Sequence, residues 1–240
     1  MLAITIDVDW SPDPIVESVL RELVVRRIPA TLYATNPDED PSGASRVLSV
    51  ADYATEIEIG WHPQFRDVRT ANDVVGALAR HYPGVAGWKG HNGVTGWQMQ
   101  NACKQHGLTY EVLPWSMPIC VPPYRPYADC NYWLLHNHFM DAEAIKIPDF
   151  VWQAEAIPLL STSSAENLII LTFHPTILYY DMRDTVEYAA AKAHYHAPAP
   201  DKSFLARPES RGAMRLLRDI VEKMPSEHFT TPVRFLAAHC

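Results

Sequence analysis

The segment ITIDVDW, residues 4–10, ends an apolar run with two aspartates that are separated by one valine. Residues i and i+2 of a β-strand point to the same face, so we expect Asp7 and Asp9 to share a side at the carboxyl end of the first strand. Two carboxylates this close repel each other unless a cation lies between them or one is protonated. The pair therefore indicates a cation site. The structural alternative is that one acid caps the following helix and the other is solvated.

Three histidines stand where later apolar runs end. His62 and His174 each precede a proline, in EIEIGWHP and LIILTFHP, and His91 ends VAGWKGH. Proline cannot continue a central strand and holds the preceding residue extended, which places these histidines at strand ends. Lys89 lies two residues before His91 and shares its face. A single histidine of this kind is usually structural, but three beside an acidic pair predict a metal site.

The predicted metal is divalent, because aspartate oxygen and histidine nitrogen suit hard-to-borderline cations. Zinc is the first choice, and iron, cobalt, manganese and nickel are alternatives.

Strand and helix patterns alternate along the chain. Predicted strands lie at 3–8, 29–36, 56–63, 85–91, 108–113, 167–175 and 233–238, and predicted helices at 11–27, 70–84, 95–107 and 209–224. This alternation predicts βαβ units and a parallel sheet. We expect an α/β fold with a single domain over residues 1–240, a distorted or incomplete (β/α) barrel of seven or eight strands. Its active site would lie at the carboxyl ends of the strands. Residues 114–150 give no clear pattern.

Composition narrows the range of possible partners and locations. The net charge of −8 and the lack of a basic stripe argue against nucleic acid as the main partner. No apolar run reaches the length of a membrane span, and no leader pattern opens the sequence. The four cysteines form no CxxC pair, so we expect free thiols and a cytoplasmic protein. The oligomeric state stays open.

Aromatic side chains supply candidates for substrate contact. The loop PWSMPICVPPYRPY, residues 114–127, carries Tyr124 and Arg125. These side chains suit stacking against a sugar or binding an anionic group, and ordinary loop packing is an equal alternative. We also expect Trp10 and Trp61 to contact substrate.

Three of these segments resemble motifs of the polysaccharide deacetylases of the NodB-homology type. TIDVDW, residues 5–10, resembles the family's first acidic motif in its divergent form, with one residue between the acids. EIGWHP, residues 58–63, is similar to the start of the second, histidine-bearing motif, and Leu171–His174 matches the late Leu-x-x-His motif. The motifs occur in family order over most of the chain. The single His-Pro resembles a divergent branch associated with O-antigen and surface-polysaccharide genes.

The resemblance implies a metal-dependent N-deacetylase on a distorted (β/α) barrel. Asp7 would be the general base, Asp9 and His62 would be metal ligands, and His174 would be the general acid. The reaction that the resemblance implies removes an acetyl or similar acyl group from an N-acylated sugar of a surface polysaccharide or its precursor, so the expected partner is a small-molecule or glycan substrate. The alternatives are hydrolysis of another C–N bond, such as a ureide or formamide, and a catalytically degenerate sugar-binding protein.

The sequence departs from the family pattern at several positions. Arg66 stands four residues after His62, where the family has a second histidine, and we expect His91 to replace that ligand. Lys89 would take the place of the family's arginine beside Asp7, as a point charge instead of a bidentate fork.

The family's fourth motif pairs an aspartate with a tryptophan and supports the general acid. Two placements are possible here, Asp149 with Trp152 and Asp129 with Trp133.

Overall fold

The computed structural model describes residues 1–35, 56–113, 119–126, 131–192, 194 and 211–239. The strands are β1 (Leu2–Asp7), β2 (Ala30–Ala34), β3 (Ile57–Trp61), β4 (Gly87–Trp88), β5 (Tyr110–Leu113), β6 (Trp133–Met140), β7 (Ile169–Phe173) and β8 (Phe229–Thr230). The helices are α1 (Asp13–Val25), α2 (Ala71–His81), α3 (Trp97–Gln105), α4 (Asp141–Ala144), α5 (Pro175–Tyr179), α6 (Thr185–Lys192), α7 (Ala213–Lys223) and α8 (Pro232–His239). Short 3-10 turns occur at Val68–Thr70, His91–Gly93, Ala154–Ala156, Pro158–Thr162 and Ser226–His228.

Strands β1 to β7 close into a parallel barrel. Each pairs with the next along the chain, and β1 pairs with both β2 and β7. Strand β8 pairs with Leu2 and Ala3 of β1. These two residues pair with β7 on one edge of β1, so β8 lies on the opposite edge. Strand β2 pairs along that same edge from Ile4 onward, so β8 precedes β2 there. The predicted parallel (β/α) barrel is confirmed, with seven strands in the closed ring.

Residues of β1 alternate between the outside and the inside of the barrel. Ile4 and Ile6 are fully buried in the core that the helices cover, where the apolar face of α1 also packs. Thr5 points inward, and its Oγ1 lies 2.8 Å from Oγ1 of Thr172 on β7. The same alternation carries Asp7 into the barrel at its carboxyl end.

Two glycines make room for aromatic rings inside the barrel. A Cβ at Gly60 would lie 2.3 Å from the Tyr33 ring, and one at Gly87 would lie 1.9 Å from the Tyr110 ring. Both tyrosines are fully buried. The next inward positions after these glycines are His62 and Lys89, so the rings fill the space beneath the polar residues of the rim.

The expected strand at 233–238 is wrong, because this segment belongs to helix α8. Pro232 occupies the first helical position, where its missing N–H costs nothing. Phe235 and Leu236 pack against the inward-facing residues Ala3 and Ile170. The helix therefore closes the amino-terminal end of the barrel, and the edge beside β1 is already taken by β8.

Strand β6 lies in the region that gave no clear sequence pattern. Its pairing with β7 shifts register between Asn137 and Phe139, which is a β-bulge. A bulge breaks the period-two alternation from which strands are recognised. Among the described residues, no helix is long and apolar enough to cross a bilayer. Cys103 and Cys120 are free thiols, and the other two cysteines lie outside the described residues.

Candidate active site

Polar side chains gather at the carboxyl ends of four strands. They are Asp7 and Asp9 at the end of β1, His62 after β3, Lys89 and His91 after β4, and His174 after β7. All six line one cavity of about 910 Å³. Asp9 has a positive φ of 48°, so the chain turns sharply where it leaves the barrel. The structure thus brings together every residue that the sequence assigned to a metal or catalytic role.

Asp9, His62 and His91 form a compact set of donor atoms. Oδ1 of Asp9 lies 3.2 Å from Nε2 of His62 and 3.0 Å from Nδ1 of His91. The two imidazole nitrogens are 3.2 Å apart. Burial opposes ionisation of Asp9, but its contacts with His62 and His91 and the charge of His174 outweigh this effect, so the pKa of Asp9 lies well below its usual range.

When both imidazoles are neutral, they carry too few protons for hydrogen bonds among all three side chains. Nδ1 of His62 lies 2.7 Å from the carbonyl oxygen of Lys89, which can only accept, so in neutral His62 this nitrogen carries the hydrogen. Nε2 of His62 then presents a lone pair to Asp9, and Nδ1 of His91 has only one hydrogen for two acceptors. A divalent cation accepts all three lone pairs. The bond from His62 to Lys89 is also the kind that orients a histidine ligand.

Asp7 is held by a buried ammonium group. Nζ of Lys89 donates to Oδ2 of Asp7 at 2.7 Å and to Oγ1 of Thr172 at 2.8 Å, and Thr172 donates to Oδ1 of Asn137 at 3.1 Å. Burial raises the pKa of Asp7, but Lys89, followed by His62 and His174, lowers it more, and the net pKa is depressed. Oδ1 of Asp7 has no hydrogen-bond partner within the described part of the chain. Lys89 thus fixes one oxygen of Asp7, and the other oxygen is buried.

His174 is oriented by Asp141. Nδ1 of His174 donates to Oδ1 of Asp141 at 2.6 Å, and its backbone N–H donates to Oδ2 of the same carboxylate at 2.8 Å. Nε2 faces the acidic pair, 3.7 Å from Oδ2 of Asp9 and 4.0 Å from Oδ2 of Asp7. Burial lowers the pKa of His174, but Asp141 and then Asp9 and Asp7 raise it to about 9. His174 therefore carries a proton at Nε2 near neutral pH.

Comparison with known families shows which family the chain belongs to. A family model for WbmS-like polysaccharide deacetylases matches residues 4–192, which is more than half of the chain. The chain belongs to this family. Comparison with curated proteins gives no match.

Solved structures show the same fold. One is a protein assigned as a polysaccharide deacetylase involved in O-antigen biosynthesis, from Bordetella bronchiseptica. It has a TM-score of 0.76 and 17% identity over 92% of this chain and 90% of its own. Another, assigned as a polysaccharide deacetylase from Mycobacterium smegmatis, has a TM-score of 0.55 and 17% identity over 96% of this chain and 92% of its own. At 17% identity, these two matches show a shared fold and nothing more.

Sequence patterns did not predict which aspartate lies beside His174. It is Asp141, which is fully buried and directly follows β6. Asp149 lies on an exposed turn, and Trp152 donates from Nε1 to the carbonyl oxygen of Arg183. Asp129 lies outside the described residues. An acid directly after the run WLLHNHFM was the available signal, but that run had not been recognised as a strand.

Of the four residues expected to contact substrate, Trp10 lies at the cavity and the other three do not. Trp10 lines the cavity and packs edge-to-face against His91, with ring centroids 4.8 Å apart. The structure does not bring Trp61 there, because this side chain is 2% exposed and donates from Nε1 to the carbonyl oxygen of Tyr82.

Tyr124 and Arg125 also lie away from the cavity. Tyr124 pairs with Leu134 near the start of β6, and Arg125 lies over the Trp133 ring, 4.4 Å from its centroid. Strand β6 begins at the amino-terminal end of the barrel, opposite the cavity. Neither side chain is therefore placed to contact a substrate bound beside Asp7 and His174.

We predict that Asp141→Asn lowers the pKa of His174 below about 9 in metal-free protein, because the substitution removes the largest favourable charge beside the imidazole. An NMR titration of the imidazole resonances measures this pKa. Asp149→Asn is the matched control and should leave it unchanged, since Asp149 is exposed on a different turn. An unchanged pKa in Asp141→Asn would contradict the assignment of Asp141 as the partner of His174.

Proposed function

We propose that this chain is a metal-dependent N-deacetylase that removes an acetyl or similar acyl group from an N-acylated sugar of a surface polysaccharide or its precursor. The observation that carries the proposal is the set of Asp9, His62 and His91 donor atoms at 3.0–3.2 Å, in the same cavity as Asp7 and His174. Membership of a polysaccharide deacetylase family supports the reaction class. We treat residues 1–240 as one catalytic domain, and the free thiols of Cys103 and Cys120 support a cytoplasmic location.

Asp9, His62 and His91 would hold the divalent cation. Zinc is the first candidate, and iron, cobalt, manganese and nickel are alternatives. A bound cation supplies Lewis-acid chemistry, because it polarises the acyl carbonyl and lowers the pKa of water. His91 supplies the imidazole that the position of Arg66 does not, and it reaches the site from the loop after β4.

Asp7 is the proposed general base. Lys89 holds its Oδ2, and the same oxygen lies 4.0 Å from Nε2 of His62 and from Nε2 of His174, so the carboxylate faces the proposed metal ligand and the proposed acid and can accept a proton from the attacking water. The depressed pKa keeps the carboxylate ionised before the attack. Lys89 is thus the positioning residue for the base.

His174 is the proposed general acid. An amine leaves the tetrahedral carbon only after it is protonated, so a proton donor must stand beside the base. The imidazolium carries that proton at Nε2, and Asp141 fixes the ring through Nδ1. Trp10 offers an aromatic face at the cavity wall for the sugar.

Metal content tests the ligand set. Protein purified without chelator or histidine tag should contain nearly one divalent metal per chain, measured by plasma mass spectrometry. Asp9→Ala, His62→Ala and His91→Ala should each lose most of it while remaining folded, because each removes one donor. His81→Ala changes an exposed histidine of α2 and should keep the metal. Full metal content in His91→Ala alone would remove His91 from the ligand set. No uptake of zinc, cobalt or manganese by the unaltered chain would contradict metal dependence.

Acetate release from a panel of N-acetylated sugars tests the reaction. Asp7→Asn and His174→Gln should lower kcat by about 100-fold or more while metal content stays near that of the unaltered chain, since these side chains move protons. Arg125→Ala should not change kcat, because Arg125 lies away from the cavity. If the metal-loaded protein releases formate or ammonia from other C–N substrates but never acetate, N-deacetylation is the wrong reaction. Binding of sugars without any hydrolysis would indicate a degenerate site.

A further inference from the structure

A carboxyl group lies deep in the protein outside the active-site cavity. Glu111 has no exposed surface, and it lies on β5 opposite Trp88 of β4. Its neighbours on the strand, Tyr110 and Val112, pack inside the barrel, so Glu111 points outward beneath the helices. Burial raises the pKa of Glu111 to about 7, despite hydrogen bonds that act in the opposite direction. Such a group is costly to bury, and the catalytic proposal gives it no role.

The contacts of Glu111 converge on the segment that follows β4. Thr95 donates from Oγ1 to Oε1 of Glu111, and Gln100, in the first turn of α3, donates from Nε2 to Oε2 at 2.8 Å. Tyr132 also hydrogen-bonds to this carboxyl group and accepts a bond from Nε1 of Trp88 at 2.5 Å. One side chain thus ties the end of the loop, the start of α3 and strand β4 together.

The loop at residues 90–96 carries His91 and folds back on itself. A Cβ at Gly90 would lie 1.7 Å from the carbonyl oxygen of Val94, so the turn can close only with glycine there. Asn92 has a positive φ of 54°, and the N–H of Val94 donates to the carbonyl oxygen of His91 at 3.2 Å. These features set the shape of the loop.

Hydrogen bonds at its two ends attach this loop to the barrel. At the His91 end, the backbone N–H of His91 donates to the carbonyl oxygen of Pro63 at 3.0 Å. At the other end, the Thr95 hydroxyl is bound to Glu111. Val94, between these two contacts, packs against the hydrophobic core, so the bond from Thr95 to Glu111 is the polar contact that holds the end of the loop opposite His91.

We propose that Glu111 is a positioning residue that holds this loop, through Thr95 and Gln100, so that His91 reaches Asp9 and His62. The inference rests on the proposed metal site. A ligand carried by the same helix as its partner gets its position from helical spacing, whereas His91 lies on a separate loop and needs its own anchor. Histidine nitrogen binds zinc at about 2.0–2.1 Å, so a loop displacement of about 1 Å breaks the bond.

The test measures metal affinity by competition with a chromophoric chelator, using zinc or cobalt as the probe. Thr95→Val removes only the hydroxyl and should weaken binding about 10- to 100-fold, as losses of supporting contacts around metal ligands typically do. Thr95→Ser keeps the hydroxyl and should bind like the unaltered chain. Glu111→Met, which removes the acceptor, should weaken binding at least as much as Thr95→Val. If Glu111→Met does not fold, the exposed Thr95 position still gives the answer.

A double-mutant cycle separates positioning of His91 from general damage. In a His91→Ala background, Thr95→Val should have no further effect on metal affinity, because the ligand that it positions is absent. Cys103→Ala trims a buried side chain of α3 near Glu111 and should lower the unfolding temperature without weakening metal binding. Equal losses with and without His91, or an equal loss in Cys103→Ala, would overturn the inference while the proposed function stands. If the unaltered chain binds no metal, the proposed function fails and this inference falls with it.

Discussion

The rim of the barrel is organised around two carboxylates at the end of the first strand, Asp7, which is buried, and Asp9, which is partly exposed. Asp7 and Asp9 cannot both remain ionised in a poorly solvated cavity unless positive charge lies within a few ångströms of each. Lys89 provides that charge to Asp7 at 2.7 Å. For Asp9, histidine nitrogens lie at 3.0–3.7 Å, and the two nearest, from His91 and His62, form with the Asp9 oxygen a set of donor atoms that suits a cation. The ends of β3, β4 and β7 thus carry the groups that neutralise the two carboxylates.

Inside the barrel, the polar residues lie in one layer at the rim, and aromatic rings fill the layer below it. Gly60 and Gly87 leave room for the Tyr33 and Tyr110 rings, so the next inward positions on β3 and β4 carry His62 and Lys89 to the cavity floor. Thr172 supports Lys89 from β7. In the proposed metal site, His91 on the loop after β4 supplies the imidazole that Arg66 cannot.

Sequence reasoning succeeded where the period of two holds and failed where it breaks. Asp7 and His174 were placed correctly because alternation in β1 and the His-Pro ending of β7 are local signals. Asp141 was missed because the bulge after Asn137 disrupts the pattern of β6. Trp61 was expected in the cavity, yet its neighbour His62 points inward, so the same alternation sends Trp61 outward into the core. The anchor between Thr95 and Glu111 joins segments that no local pattern relates.

X-ray absorption spectroscopy of the metal-loaded protein tests the central claim most directly, because it counts the imidazoles bound to the metal. The account predicts two imidazole ligands and at least one carboxylate oxygen at the metal in the unaltered chain. It predicts one imidazole in His91→Ala loaded with excess metal. A single imidazole in the unaltered chain, or the same count in both proteins, would contradict the claim that His91 completes the site built around Asp9.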